Sequence, residues 1–263
     1  MTGARSSGHP TFKPVQLTRG ARDLVNEAPV ALVFDGTTAA VMMATPADIG
    51  DFAMGFAFSE GFVEDIAEIV QFEEVRHEKG IEARFWLIPE RREAVAARRR
   101  AMMGPVGCGL CGIDSLDQAT RALTSVEGGA TIAGDALARA PDTLRARQPL
   151  HDRTRSAHAA GFITADGTLL VAREDVGRHN ALDKVIGAMI KTGAPRDQGA
   201  LVMTSRVSVE LVQKSATCGF ATLVAVSSPT ALAVETAEAA GITLACLDRA
   251  GGIDVFTHPH RVF

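Results

Sequence analysis

Residues 178–204 read RHNALDKVIGAMIKTGAPRDQGALVMT. Leu182, Val185, Ile186, Met189 and Ile190 recur at i, i+3, i+4, i+7 and i+8, the apolar stripe of an amphipathic helix. Gly193 stops the helix, and Leu201–Thr204 reads as a short buried strand. The unit then repeats. A helix over Val207–Cys218 ends at Gly219, and a strand follows at Thr222–Val226. A helix over Ala231–Ala240 ends at Gly241, and strands at Thr243–Leu247 and Ile253–Thr257 complete the pattern. Upstream, Ala160–Thr164 and Thr168–Ala172 flank Asp166-Gly167, a hairpin signal. Short apolar strands alternating with glycine-stopped helices predict a mainly parallel sheet covered on both faces. The C-terminal half is therefore expected to be a three-layer αβα domain that begins with a hairpin.

The first half reads as a smaller α+β domain. Apolar runs at Pro29–Phe34 and Thr38–Met43 flank Asp35-Gly36, another hairpin signal. Thr45-Pro46-Ala47-Asp48 has the form of a helix start, with Thr as cap and Pro in the first turn. The helix it predicts runs to about Glu60 and ends at Gly61. Strands near Ile69–Arg76 and Ile81–Ile88 flank Lys79-Gly80, and a basic helix from Glu90 to Met103 leads into a glycine-rich loop at 104–112. A helix over Ser115–Leu123 and an arginine-rich surface helix or connector over Pro141–Ser156 follow. These readings divide the chain into a flexible lead-in at 1–13, an N-terminal domain at 14–104 and an α/β domain at 105–263.

A length of 263 residues with 46% hydrophobic and 22% charged residues is ordinary for a soluble globular chain. A net charge of −4 gives no overall field for nucleic acid. No run reaches the roughly 18 apolar residues of a membrane span, and the polar N-terminus lacks the apolar core of a secretory signal. The 4 cysteines include one close pair, which points to a reducing, cytoplasmic setting.

In an open α/β sheet, ligands gather beyond the carboxyl ends of the strands, where helix N-termini also point. The turns expected there are Arg173–Asn180, Thr204-Ser205-Arg206, Ser227–Thr230 and Asp248–Gly252. Helix caps and turns use Ser, Thr, Asp and Gly without any ligand, but capping does not explain Arg178, Arg206 and Arg249 at three such turns. Arginines, hydroxyls and free N–H groups suit a phosphate, and Asp175 or Asp248 offers an acceptor to a purine edge or sugar hydroxyl. His179 is either a pocket donor or a surface histidine. Neither a Walker-type loop nor a G-x-G-x-x-G turn is present.

Cys108-Gly109-Leu110-Cys111 sets two thiols three residues apart among Gly104, Gly107 and Gly112. A thiolate is a nucleophile, a metal ligand and a possible carrier of sulfur. Zinc needs about four ligands, and the pair gives two. Cys218 and Cys246 read as small core residues, and His77, His151 and His158 supply no second pair with finger-like spacing. Local sequence leaves redox chemistry and sulfur carriage level, with zinc behind them.

Four motifs break the tie. G-C-G-L-C-G at 107–112, R-E-D-V-G-R-H-N-A-L-D-K at 173–184, S-R-V-S-V-E-L-V-Q-K at 205–214 and S-S-P-T-A-L-A-V-E at 227–235 occur in order. Together, from about residue 14 to the C-terminus, the chain resembles the formate dehydrogenase accessory sulfurtransferase (FdhD) family. The resemblance implies a cytidine-deaminase-like C-terminal fold and a homodimer. It implies a sulfur carrier between a cysteine desulfurase and the molybdenum (or tungsten) bis(molybdopterin guanine dinucleotide) cofactor of formate dehydrogenase. By position it makes Cys108 the persulfide carrier and Cys111 an assisting thiol. It puts the family's cofactor-binding segment on Leu247, Asp248, Arg249, Ala250, Gly251 and Gly252. Arg178, His179, Ser205 and Arg206 then complete a pocket for the cofactor or a GDP- or GMP-like moiety. Two other readings are a chaperone that holds the cofactor without sulfur transfer and a zinc-dependent deaminase-like hydrolase. The zinc hydrolases use H-x-E and P-C-x-x-C. Here no His is followed by x-Glu, and Gly107 precedes Cys108.

Overall fold

Alternating side chains make the N-terminal half a β-structure before any helix forms. The computed structural model describes residues 9–102, 123 and 125–263. β1 (Phe12–Leu17) and β2 (Gly20–Val25) form an antiparallel ribbon, so the lead-in expected through residue 13 gives way to a strand at Phe12. β3 (Ala28–Phe34), β4 (Thr37–Ala44), β5 (Ile69–His77) and β6 (Gly80–Leu87) form a four-stranded sheet in the order β4-β3-β6-β5. The turn at Asp35-Gly36 has φ of 47° and 76°, the left-handed pair whose twist matches the flanking strands. The second hairpin turns at Glu78-Lys79, one residue earlier than expected, with His77 opposite Gly80.

α1 (Ile49–Ser59) follows, but Thr45 is not its cap. Asp48 holds the cap position in a left-handed conformation and makes no side-chain cap hydrogen bond. Thr45 is instead fully buried. Its N–H donates to Asp175 Oδ2 at 3.0 Å, its hydroxyl accepts the Val176 N–H at 3.0 Å, and its carbonyl accepts from Lys184 Nζ at 3.1 Å. Distant partners have outcompeted the local capping pattern. In the basic helix α2 (Pro89–Met102), Arg91 is likewise not a solvated charge. It donates to the Phe62 and Gly61 carbonyls and to Glu64, tying the helix to the end of α1.

The stretch expected as a surface helix or connector is helical over most of its length, in α3 (Gly134–Arg145), which starts before Pro141 and contains it, and α4 (Pro149–Thr154). β7 (His158–Thr164), β8 (Leu169–Asp175), α5 (Arg178–Thr192), β9 (Gly199–Met203), α6 (Val209–Thr217), β10 (Thr222–Ala225), α7 (Ala231–Ala239), β11 (Thr243–Leu247) and β12 (Ile253–Val255) then match the expected succession. The six strands run in the order β12-β11-β10-β9-β7-β8. β9, β10 and β11 pair in parallel, whereas β7 is antiparallel to both neighbours and β12 is antiparallel to β11. The sheet is therefore mixed rather than mainly parallel. A tight hairpin and the short turn after β11 can join only antiparallel neighbours, while the helices provide the crossovers that parallel pairing needs. The helix expected over Ser115–Leu123 lies outside the described residues, apart from its final position.

The pleat divides the core. Leu201, Met203, Leu223, Ala225, Leu244 and Cys246 face one cluster, shared with α1, α5, α6, α7 and the N-terminal sheet. Ala200, Val202, Val224 and Ala245 face the other, capped by Ala136, Leu137, Ala140 and Leu144 of α3. The larger core is continuous through both halves of the chain. No helix among the described residues is long and apolar enough to cross a membrane.

α1 and α5 cross in backbone contact. A Cβ added at Gly55 would lie 1.7 Å from the Asp183 carbonyl oxygen, and one at Gly187 would lie 1.9 Å from that of Asp51. Glycine in a helix interior costs about 1 kcal/mol against alanine, so only close approach accounts for this pair. At Gly50 of the same helix, an added methyl would meet only the Phe72 ring and the Lys191 ammonium, at 3.6 and 3.7 Å. Gly55→Ala is expected to destabilise the fold by about 3 kcal/mol or more, because backbone rather than a rotatable side chain must yield. Gly50→Ala should be near neutral. Thermal unfolding of the two variants beside the parent chain checks the contrast.

Candidate functional site

β8 is antiparallel to β7, and β7 to β9, so β8 runs in the same sense as β9, β10 and β11. The turns after these four strands consequently lie along one edge of the sheet. Cross-links hold three of them together. The Val226 N–H donates to the Met203 carbonyl, Thr230 N–H to Val207 O, and the Cys246 thiol to Ser227 O. The turns after β9 and β11 are two interstrand spacings apart, on the order of 10 Å.

The residues expected in the crevice divide by role. After β11, Leu247 is half-buried, while Arg249, Ala250 and Gly251 are exposed. Asp248 Oδ1 accepts the Ala250 and Gly252 N–H groups at 2.7 and 2.8 Å, so this carboxylate shapes the turn. Gly251 has φ of 90°, a conformation open to glycine. After β9, Ser205 is buried and its hydroxyl donates to the Arg206 carbonyl, leaving the Arg206 side chain exposed. Asp175 is not available to a purine. Its Oδ1 accepts the Gly177 N–H and Asn180 Nδ2, and its Oδ2 accepts Thr45 N–H and pairs with Lys184 Nζ at 2.7 Å.

Arg178 and His179 open α5, and His179 Nε2 comes within 3.9 Å of Glu210 Oε2 in the first turn of α6. The first turn of the helix that follows β9 thus meets the start of α5. Arg178 Nε, His179 Nε2 and Glu210 Oε2 are each buried without a hydrogen-bond partner among the described residues. Burial, with Arg178 and Lys214 adding their positive fields, pushes the His179 pKa down to about 4. Burial works against ionising Glu210, but nearby Ser208, its own backbone, His179 and Arg178 outweigh it, and its pKa is lowered. His158, at the start of β7, is also shifted down, first by burial and then by Arg178.

Beneath this pair a second polar step is fully satisfied. Lys214 Nζ contacts both Asp183 oxygens at 3.0 and 2.9 Å, Ser59 Oγ at 2.9 Å and Glu60 Oε1 at 2.8 Å. Sequence reading overlooked Glu210, Lys214 and Asp183, although the signal was present. His179/Asp183 and Glu210/Lys214 are i, i+4 pairs of polar residues on successive helices, which places two facing steps between them. Cys108, Cys111 and the loop at 104–112 lie outside the described residues. Cys218 and Cys246 are buried, and burial pushes both thiols up to about 12, which keeps them protonated and unreactive. A cavity of about 470 Å³ beside Pro29, Val41 and His77–Glu82 lies on the N-terminal sheet, away from the strand-end turns.

A six-stranded αβα sheet with exposed Arg206 and Arg249 in the turns after β9 and β11 defines the class as an α/β protein. Residues 25–263 match the FdhD/NarQ family, and the chain belongs to it. It is 46% identical to the Sulfur carrier protein FdhD of Agrobacterium fabrum over 92% of this chain and 90% of that one. It is 44% identical to the Sulfur carrier protein FdhD of Cupriavidus necator over 97% of this chain and 90% of that one. A solved structure of a proposed formate dehydrogenase accessory protein from Desulfotalea psychrophila superposes with a TM-score of 0.71 at 23% identity. It covers 96% of this chain and 97% of its own, and so shares the fold.

A histidine held well below its ordinary pKa makes the folded state bind fewer protons than the unfolded chain. Its contribution to stability is complete above the unfolded pKa of about 6.5 and is lost as pH falls through about 4. Thermal stability should therefore fall across that window, and less steeply in His179→Gln. In NMR the His179 ring should show no protonation at pH 6; a midpoint near 6.5 would contradict the buried, neutral assignment.

Proposed function

We propose that the protein is a sulfur carrier that takes persulfide sulfur from a cysteine desulfurase and passes it to a molybdenum or tungsten bis(molybdopterin guanine dinucleotide) cofactor needed by formate dehydrogenase. Membership of a family whose relatives are named sulfur carriers supports the carriage of sulfur. The observation that carries the rest is the strand-edge crevice. Arg178 and His179 open α5, His179 reaches Glu210 in the first turn of the helix that follows Ser205 and Arg206, and the 247–252 turn follows a strand two places from β9. Exposed Arg206 and Arg249 suit the anionic parts of a dinucleotide, and Ser205 with Asp248 fixes the turns that present them. The cytidine-deaminase likeness of the C-terminal half and action as a cytoplasmic homodimer belong to the same reading.

In this reading the Cys108 thiolate attacks the outer sulfur of the desulfurase persulfide. The donor S–S bond breaks, the desulfurase thiolate leaves, and a new S–S bond forms on Cys108. Cys111 assists the second step by attacking the Cys108 sulfur. The two cysteines become a disulfide, and the outer sulfur departs as sulfide toward the metal, the dithiol supplying both electrons. Holding the cofactor in the crevice makes this transfer effectively intramolecular.

Incubation with a desulfurase and cysteine is expected to add one reductant-labile sulfur atom to Cys108, read by mass spectrometry. Cys108→Ser should carry no sulfur there and should fail to activate formate dehydrogenase. Full activation by Cys108→Ser would instead make the protein a cofactor-holding chaperone. Stoichiometric zinc lost on mutating the pair would favour the hydrolase reading.

A further inference from the structure

The carboxylates beside the crevice are unequal. Asp175 has four partners, Asp248 closes its own turn, and Asp183 is held by Lys214 and Ser59. Glu210 differs from all three. Its side chain is 32% exposed, its Oε2 has no hydrogen-bond partner among the described residues, and the nearest cationic candidate is His179 at 3.9 Å. Burial pushes that histidine's pKa down to about 4, so the compensating field at Glu210 comes from Arg178, with no hydrogen bond to Oε2. A buried carboxylate oxygen without a hydrogen bond is costly, and a native site keeps one where something else supplies the donor. Unused Arg178 Nε and His179 Nε2 lie beside it.

From this juxtaposition we propose that Glu210 is the specificity residue of the crevice. It reads the 2-amino-4-oxopyrimidine edge shared by guanine and pterin. That edge offers a ring N–H and an exocyclic amino group side by side, which two carboxylate oxygens accept together. Its carbonyl, next along the edge, takes a proton donor from the Arg178–His179 side. Adenine presents no such pair of donors. Xanthine presents a carbonyl where guanine has its amino group, and so meets the carboxylate with like polarity. The proposal rests on the cofactor-binding part of the function above and assigns the base reader within it. The acceptor anticipated at Asp175 or Asp248 is thereby assigned to Glu210, Asp175 being fully engaged and Asp248 committed through Oδ1 to its own turn.

The test uses the full-length protein and isothermal titration with GDP, xanthosine diphosphate, ADP and neopterin. The parent chain should favour GDP over xanthosine diphosphate and ADP by at least tenfold. Glu210→Gln keeps the shape but exchanges one acceptor for an amino donor, so preference should turn toward xanthosine diphosphate, with the unfolding temperature unchanged. Glu210→Ala should lose the discrimination without gaining the new preference, which guards against misfolding of the first variant. Tight neopterin binding, weakened in both variants, with no base preference among the nucleotides, would place the pterin half of the cofactor on Glu210. Retention of the parent's GDP preference in Glu210→Gln overturns the assignment while leaving cofactor binding intact. Failure of the parent chain to bind any of the four ligands overturns the cofactor reading itself, and this inference with it.

Discussion

A fully buried ion pair, Asp175 with Lys184, sits where the two halves of the chain meet. Lys184 completes its three donors with the Thr45 and Glu174 carbonyls, and Asp175 completes its acceptors with the Gly177 N–H, Asn180 and the Thr45 N–H. Removing one member of such a pair costs on the order of 3–5 kcal/mol, because the survivor remains charged and dry. The node therefore fixes the end of β4, the end of β8 and the first turn of α5 relative to one another. Asn180 adds a bond to the Met43 carbonyl and extends the join to the N-terminal sheet. Two further polar anchors follow along α1. Asp51 is held by Arg173 and Lys191, and Ser59 with Glu60 meets Lys214 and Asp183.

This arrangement accounts for the position of the site. α1 belongs by sequence to the first half, yet it packs backbone to backbone on α5 through Gly55 and Gly187. α5 is thereby pinned, and its first turn brings Arg178 and His179 against α6. The inner step of the helix interface, Asp183 with Lys214, is satisfied, whereas the outer step at His179 and Glu210 retains unused atoms. A polar interface complete inside and incomplete at its outer end is a rigid support for the site proposed to take a ligand.

Much of the fold was legible in residue order. The stripe from Leu182 to Ile190, glycine stops at Gly193 and Gly241, and Asp-Gly hairpins all survived folding, because each is a local preference that tertiary packing reinforces. The failures were local signals overruled from afar. Thr45 has the form of a helix cap but spends its three polar atoms on residues more than a hundred positions away. The stretch from Pro141 reads as a surface helix or connector, yet the buried row Ala136, Leu137, Ala140 and Leu144 starts α3 earlier and carries it through Pro141. Arg91 lies in the helix expected from its basic composition, and proved to be a clasp on two carbonyls.

For the site, sequence by itself determined the motif that carries the thiols, the family and the identity of the turns that gather at the strand ends. Chemical type and order along an alternating α/β chain suffice for that. Tertiary structure alone decided which carboxylates are available. Asp175, Asp183, Asp248 and Glu210 are equivalent as letters, but a carboxylate can act on a ligand only where folding has not already supplied its partners. Burial beside Lys184 and Lys214 exhausts Asp175 and Asp183, the turn after β11 takes one oxygen of Asp248, and between α5 and α6 Oε2 of Glu210 has no hydrogen bond among the described residues.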